Sequence, residues 1–255
     1  MYNADVNFTK EYLKILKEFS SFLVSYSGEL PVSMNFQLNT FISTLKEQSG
    51  MALKIINKKK LNKVFSIEPN IIFSFVNPLD NKRKFHVSIG GMIEFKDSIL
   101  VEQSLCMNLI LEHTDTCADI PAEWKFISIN EGYNILRRFH FDYDSTNDDN
   151  KKPKFHLQYG GKFNSEYLGI DNPKIHYDLF QTIDHPRIPQ QPHDLIMLLD
   201  FMLREFSLKG KTITKEKKWN ELVIKSERLW LIPYYNELIN RLGSCSRTSP
   251  LHRAN

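Results

Sequence analysis

With 255 residues, 42% of them hydrophobic and 12% aromatic, the chain carries enough apolar material for one large core or two small ones. Only 10 Gly, 11 Pro and 3 Cys are present, which excludes collagen-like, disordered and disulfide-scaffold classes. No apolar run approaches the roughly 18 residues of a membrane span, and a net charge of +3 is too small to argue nucleic-acid binding from the total alone.

Tyr12, Leu13, Ile15, Leu16, Phe19, Phe22, Leu23 and Tyr26 recur at helical spacing, which predicts a helix over Lys10 to Tyr26. Asp5, Asn7 or Thr9 can cap its start, and Gly28 can stop it. A second helix is expected from Asn35 to Gln48, ended by Gly50. The period then drops to two. Ile71 to Val76 lies between Pro69 and Pro78 and suits a strand, and Phe85, Val87 and Ile89 alternate with polar residues up to Gly90-Gly91. Over Ile99 to Glu112, Ile99, Val101, Leu105, Met107, Leu109 and Leu111 fall on one side of a long strand, opposite Glu102, Ser104, Asn108 and Glu112. Further strands are expected over Phe126 to Ile129, Asn134 to Tyr143 and Lys154 to Tyr159, the last two joined by a polar loop. Pro192 then opens a helix striped by Leu195, Leu198, Leu199, Met202 and Phe206. Trp219 to Trp230 forms another, and Pro233 interrupts it. Helices, then strands, then helices predict one α+β domain over 1–242, an antiparallel β-sheet flanked by N-terminal and C-terminal helices, with 243–255 as a flexible tail.

Cys106, Cys117 and Cys245 form no C-x-x-C pair, so neither a structural zinc site nor a disulfide framework is expected, and no cofactor or metal is called for. Met1 to Lys10 lacks an apolar signal region, and a reducing cytoplasm is the expected compartment, with no membrane association. Charge is unevenly spread. Lys58, Lys59, Lys60 and Lys63 cluster with Lys54, and a second lysine cluster covers Lys209 to Lys218. Such runs are ordinarily solvated faces; as a functional feature, Lys58, Lys59, Lys60 and Lys63 are the candidate nucleic-acid contacts.

The chemistry concentrates in two strands. In Arg138-Phe139-His140-Phe141-Asp142-Tyr143 the aromatics face one way and Arg138, His140 and Asp142 the other. Phe155-His156-Leu157-Gln158-Tyr159 repeats the split, with His156 and Gln158 on the polar side. If the strands pair, two imidazoles, a carboxylate, an amide and a guanidinium share one face. That face can be ordinary solvent-facing sheet surface. It can also be an acid–base site in which His140 and His156 serve as base and acid, Asp142 orients an imidazole, and Arg138 neutralises a phosphate or oxyanion. A two-histidine, one-carboxylate metal site is disfavoured by the short spacing between His140 and His156. Gln158, His185 and Arg187 are further candidate ligand contacts; the prolines around Arg187 equally suit a rigid loop leading into a helix.

The combination of Phe139-His140-Phe141-Asp142-Tyr143, Phe155-His156-Leu157-Gln158-Tyr159-Gly160-Gly161 and His185-Pro186-Arg187-Ile188-Pro189 resembles a poorly characterised bacterial protein family. Members of that family are often found beside phage-defence, restriction or toxin–antitoxin genes. The resemblance covers residues 130 to 206 and implies a bacterial cytoplasmic protein from a mobile locus, without supplying residue roles. Three functions follow as expectations. The first is a partner-dependent component of a bacterial defence or toxin–antitoxin system acting on or near nucleic acid, its protein partner encoded in the same operon. The second is a small His-dependent nuclease or phosphoesterase. Loss of His140 or His156 would then slow it about 100-fold and leave stability nearly intact. The third is a protein-binding immunity or adaptor module with Trp219 or Trp230 as exposed anchors, although aromatics at that spacing also suit a core.

Overall fold

The computed structural model describes residues 4–26, 35–58, 64–77, 80–114, 129–145, 153–161, 163–177, 187–206 and 211–245. Its first helix, α1 (Val6–Ser25), begins at Asp5, whose carboxylate accepts the Phe8 N–H at 2.7 Å and so satisfies one of the helix's open donors. The predicted stripe faces inward: Tyr12, Leu13, Leu16, Phe19 and Leu23 are all buried. The next helix, α2 (Asn35–Asn57), runs straight through Gly50, where termination was expected. A Cβ at Gly50 would meet nothing within 4 Å, so the glycine neither packs nor turns there.

Strands β1 (Val64–Ile67), β2 (Asn70–Asn77), β3 (Asp80–Lys96), β4 (Ile99–His113) and β5 (Gly132–Asp144) follow. Then come β6 (Phe155–Tyr159), β7 (Ile175–His176) and β8 (Arg187–Pro189), before helices α3 (Leu195–Glu205) and α4 (Lys217–Cys245). The strand order is β1-β3-β4-β5-β6-β8, with β2 beside the first half of β3. Pairing is antiparallel except for β7, which runs parallel to the start of β5. Asp97 and Ser98 turn β3 into β4 with φ of 51° and 70°, the positive pair a tight two-residue hairpin demands. The sequence expectation of an antiparallel sheet with helices at both ends is met.

Two strand details differ from the alternation read in the sequence. Strand β3 does not stop at Gly90-Gly91 but continues to Lys96. Gly91 makes that possible at φ +142°, since a Cβ there would lie 2.0 Å from the Ser104 carbonyl oxygen. In β4 a bulge between the pairs Glu94–Glu102 and Phe95–Leu100 reverses the alternation, so Leu100 rather than Ile99 or Val101 is the fully buried residue at this end. Residues 115–128 and 146–152 lie outside the described residues, and with them most of the strand expected over Phe126 to Ile129.

One large core fills the space between one face of the sheet and all four helices. Ile71, Phe73, Val87, Ile89, Ile93, Leu105, Tyr143 and Phe155 supply the sheet side. Trp230 is wedged edge-on against Phe8, Tyr12, Tyr143 and Phe155, and Trp219 lies against Phe19 and Phe22. Both tryptophans are fully buried, which removes them as exposed anchors. Two polar side chains enter this core as a linked pair: the Tyr12 hydroxyl donates to Gln103 at 2.8 Å, and Gln103 donates to the His193 carbonyl. Helix α4 passes through Pro233 without ending, and its helical residues extend to Cys245, into the segment expected as tail; 246–255 lie outside the described residues. Among the described residues no helix is long and apolar enough to cross a membrane.

The opposite face of the sheet carries a second, small core. Ile72, Ile110 and Ile135 are sealed there by Phe163, just before the 3₁₀ turn Ser165–Leu168, and by Leu168 at its end.

Candidate functional site

The β5–β6 hairpin pairs in the register its alternating sequence requires. Phe139 faces Tyr159, Phe141 faces Leu157 and Tyr143 faces Phe155, all directed to the helix side. His140 therefore pairs with Gln158, and Asp142 with His156, on the other side. The same register continues across the sheet: Arg138 opposes Asn108, His140 opposes Cys106 and Asp142 opposes Ser104 on β4, while Gln158 opposes Arg187 on β8. Arg138, His140, Asp142, His156, Gln158 and Arg187 thus belong to one polar face. His140 and His156 are diagonal neighbours, a separation of roughly 7–8 Å in a sheet. His185, Lys59, Lys60 and Lys63 lie outside the described residues. Lys58 is exposed at the end of α2, on the helix-covered side and away from this face.

Sharing a face does not give the two imidazoles the same role. His156 is 2% exposed, and both of its ring nitrogens are engaged. Nδ1 donates to the Pro153 carbonyl at 3.0 Å, and Nε2 lies 3.3 Å from Asp142. A carbonyl only accepts, so Nδ1 carries its proton, and Nε2 donates to the carboxylate when the ring is charged. The other oxygen of Asp142 accepts the Ser104 hydroxyl at 2.7 Å. Burial alone would push the Asp142 carboxyl up, but the hydrogen bonds from His156 and Ser104 and the charge of His140 and His156 outweigh it and hold the group below its usual range. Asp142 is thereby clamped as a carboxylate.

His140 is partly exposed and stands on the wall of a cleft of about 440 Å³. Arg138 and Cys106 line the same cleft, with Ser104, Gly91 and Met92 continuing its floor. Its rim carries Glu68, Glu102 and Glu166, all exposed, together with Asn70 and Asn164. Asn164 caps the short turn above the cleft by accepting the Glu166 N–H at 3.0 Å. Gly161, at φ +87°, brings backbone against the ring: a Cβ there would stand 3.2 Å from His140 Nε2. Of the residues proposed from sequence, Arg138 and His140 reach the cleft, Asp142 and His156 buttress it, and Gln158 and Arg187 extend the same face beyond it.

The far wall was missed in the sequence. Glu68, Asn70, Glu102, Cys106 and Glu166 come from the β1–β2 turn, β2, β4 and the covering 3₁₀ turn, and no spacing rule links them before the sheet is assembled. The one available signal was the polar side of β4, Glu102 and Ser104, which the alternation did mark. No group of three or more His, Cys, Asp or Glu side chains among the described residues is arranged to hold a metal ion. No protein-family model, curated protein or solved structure matches the chain.

Proposed function

We propose that the β2–β5 cleft binds a small phosphate ester and cleaves it with water: the water oxygen bonds to phosphorus as the ester P–O bond breaks, Arg138 neutralises the phosphate, and His140 gives a proton to the leaving oxygen. The observation that carries this reading is the placement of Arg138 and His140, two positions apart on one strand, on the wall of a cleft of about 440 Å³. Asp142 sits behind His140, fixed by Ser104 and His156, and supplies a constant negative charge that favours the imidazolium form during proton transfer. His156 then acts as a positioning residue.

The glutamate rim narrows the ligand class. Glu68, Glu102 and Glu166 repel a long polyanion but accept hydrogen bonds from hydroxyls, which suits a sugar phosphate or mononucleotide better than a nucleic-acid strand. Calorimetric titration with ribose 5-phosphate and adenosine monophosphate, with p-nitrophenyl phosphate as the turnover probe, tests this. Binding weakened at least about tenfold in Arg138→Ala, and turnover slowed about 100-fold in His140→Ala, supports it. No binding at millimolar ligand overturns it.

A second reading, a partner-dependent component of a bacterial defence or toxin–antitoxin system, is favoured by one feature beyond the family resemblance. Ile232, Tyr235, Ile239 and Leu242 are exposed and recur along one side of α4 past Trp230. Co-expression with the products of adjacent genes, followed by size-exclusion chromatography, tests it. A stable complex dissociated by Ile239→Glu supports the reading, and elution as separate species with every neighbour contradicts it.

A further inference from the structure

The polar face of the sheet holds a second hydrogen-bonded chain, at the end away from the cleft. Ser74 on β2 and His86 on β3 are direct cross-strand partners. Ser74 Oγ stands 3.0 Å from His86 Nδ1, and His86 Nε2 stands 3.0 Å from Glu112 Oε2 on β4. The order of this chain is fixed by what each group can do. A carboxylate only accepts, so Nε2 carries the ring proton. Nδ1 is left with its lone pair and accepts from the Ser74 hydroxyl. Hydroxyl, imidazole and carboxylate are then linked in the sequence that lets a serine act as a nucleophile.

The surroundings support that use. Burial draws the His86 imidazole below its ordinary range, against the pull of Glu112, so the ring is a neutral base at physiological pH. The charged or titratable groups around it are Lys84, which pairs with Glu112 at 3.5 Å, Glu112 itself, and Tyr133, whose ring centroid is 6.3 Å away on β5. Ser74 is half-buried, and the His86 side chain is only 8% exposed. Tyr133 and Ile175, partly buried against the small core, give an apolar acyl group somewhere to rest. Asn70 at the cleft and Ser74 are four residues apart on β2, about 13 Å. Ile72, on the same face between them, is covered by Phe163 and Leu168. The two places are therefore separate.

We infer that Ser74, His86 and Glu112 form an acyl-transfer site for small carboxylic esters bearing an apolar acyl group. Ser74 Oγ bonds to the ester carbonyl carbon as its proton passes to His86 Nδ1, and the imidazolium is stabilised by Glu112. Collapse breaks the ester C–O bond, and the leaving oxygen takes the proton back from His86. Water then repeats the sequence on the acyl-serine, releasing the carboxylic acid and restoring the hydroxyl.

The unaltered full chain is treated with an alkyl fluorophosphonate, its mass is measured intact and the modified peptide is mapped; p-nitrophenyl butyrate hydrolysis is followed in parallel. The expected result is one phosphonyl adduct on Ser74, with the oxygen–phosphorus bond formed and fluoride lost. Ester hydrolysis should disappear in Ser74→Ala, fall roughly 100-fold in His86→Gln, and persist in Ser21→Ala, an exposed serine on α1. The mapping is made on the unaltered chain, so it stands whatever the variants do to folding. Absence of an adduct, an adduct on another residue, or hydrolysis that survives in Ser74→Ala overturns the inference.

Discussion

Asp194 caps α3 from inside the main core. One carboxylate oxygen accepts the Met197 N–H at 2.9 Å, the other accepts the Ser226 hydroxyl, and the side chain has no solvent exposure. Burial pushes its pKa up to about 6, although the Met197 and Ser226 bonds pull the other way. An unfolded chain returns the group to about 3.9. The folded state thus holds the proton more tightly. The stability this confers is fully present below the unfolded pKa and is lost as pH rises through the folded one. Two units correspond to about 3 kcal/mol in full, of which about 2 kcal/mol should appear between about pH 7.5 and about pH 4.5. Asp194→Asn keeps an N-cap acceptor and abolishes the titration. Urea unfolding of both proteins at the two pH values isolates the effect, because Asp142, His86 and His193 titrate in both and cancel in the difference. The wild type should gain about 2 kcal/mol on the variant as pH falls. A difference that stays constant within about 0.5 kcal/mol, or moves the other way, refutes a carboxyl raised by burial.

Two glycines should respond with opposite signs in thermal melts. Gly91→Ala drives a Cβ to 2.0 Å from the Ser104 carbonyl oxygen and 2.9 Å from the Leu105 Cα, both backbone, and should cost about 3 kcal/mol or more. Gly50→Ala meets nothing within 4 Å on α2 and should stabilise by about 0.5–1 kcal/mol. The two histidines should also separate in urea unfolding. His156→Ala leaves the Asp142 carboxylate without its buried partner and should cost about 3 kcal/mol, whereas His140→Ala, partly exposed, should cost less than about 1 kcal/mol. Equal losses at the two positions would contradict the distinction between buttress and cleft wall.

The fold was legible wherever one period ran uninterrupted over a sharply two-sided segment. Phe139 to Tyr143 and Phe155 to Tyr159 have aromatics on every alternate position, so only one register buries them all, and β5–β6 adopts it. The apolar stripe of α1 was as plain, its start falling four residues earlier than expected because Asp5 rather than Asn7 or Thr9 takes the cap. Glycine and proline misled. Gly50, Gly91 and Pro233 all read as stops, yet each lies inside an element; at Gly50 and Gly91 buried residues on both sides outweigh the local preference, whereas α4 beyond Pro233 is largely exposed. The site was legible only in part. Composition marked His140 and His156 alike, and what distinguishes them, the Pro153 carbonyl on one and the open cleft beside the other, is set by tertiary structure. The Ser74–His86–Glu112 chain was hidden for a similar reason, since its members come from β2, β3 and β4 and meet only through cross-strand pairing.

Histidine side-chain nitrogen–proton correlation spectra, recorded while ribose 5-phosphate is added, test the central claim most directly. The ring resonances of His140 should shift and saturate with ligand, while His156 keeps its Nδ1 proton on Pro153 and stays in place. Resonances of His140 that do not move at millimolar ligand, or His156 moving with them, would contradict a phosphate-ester cleft built on Arg138 and His140.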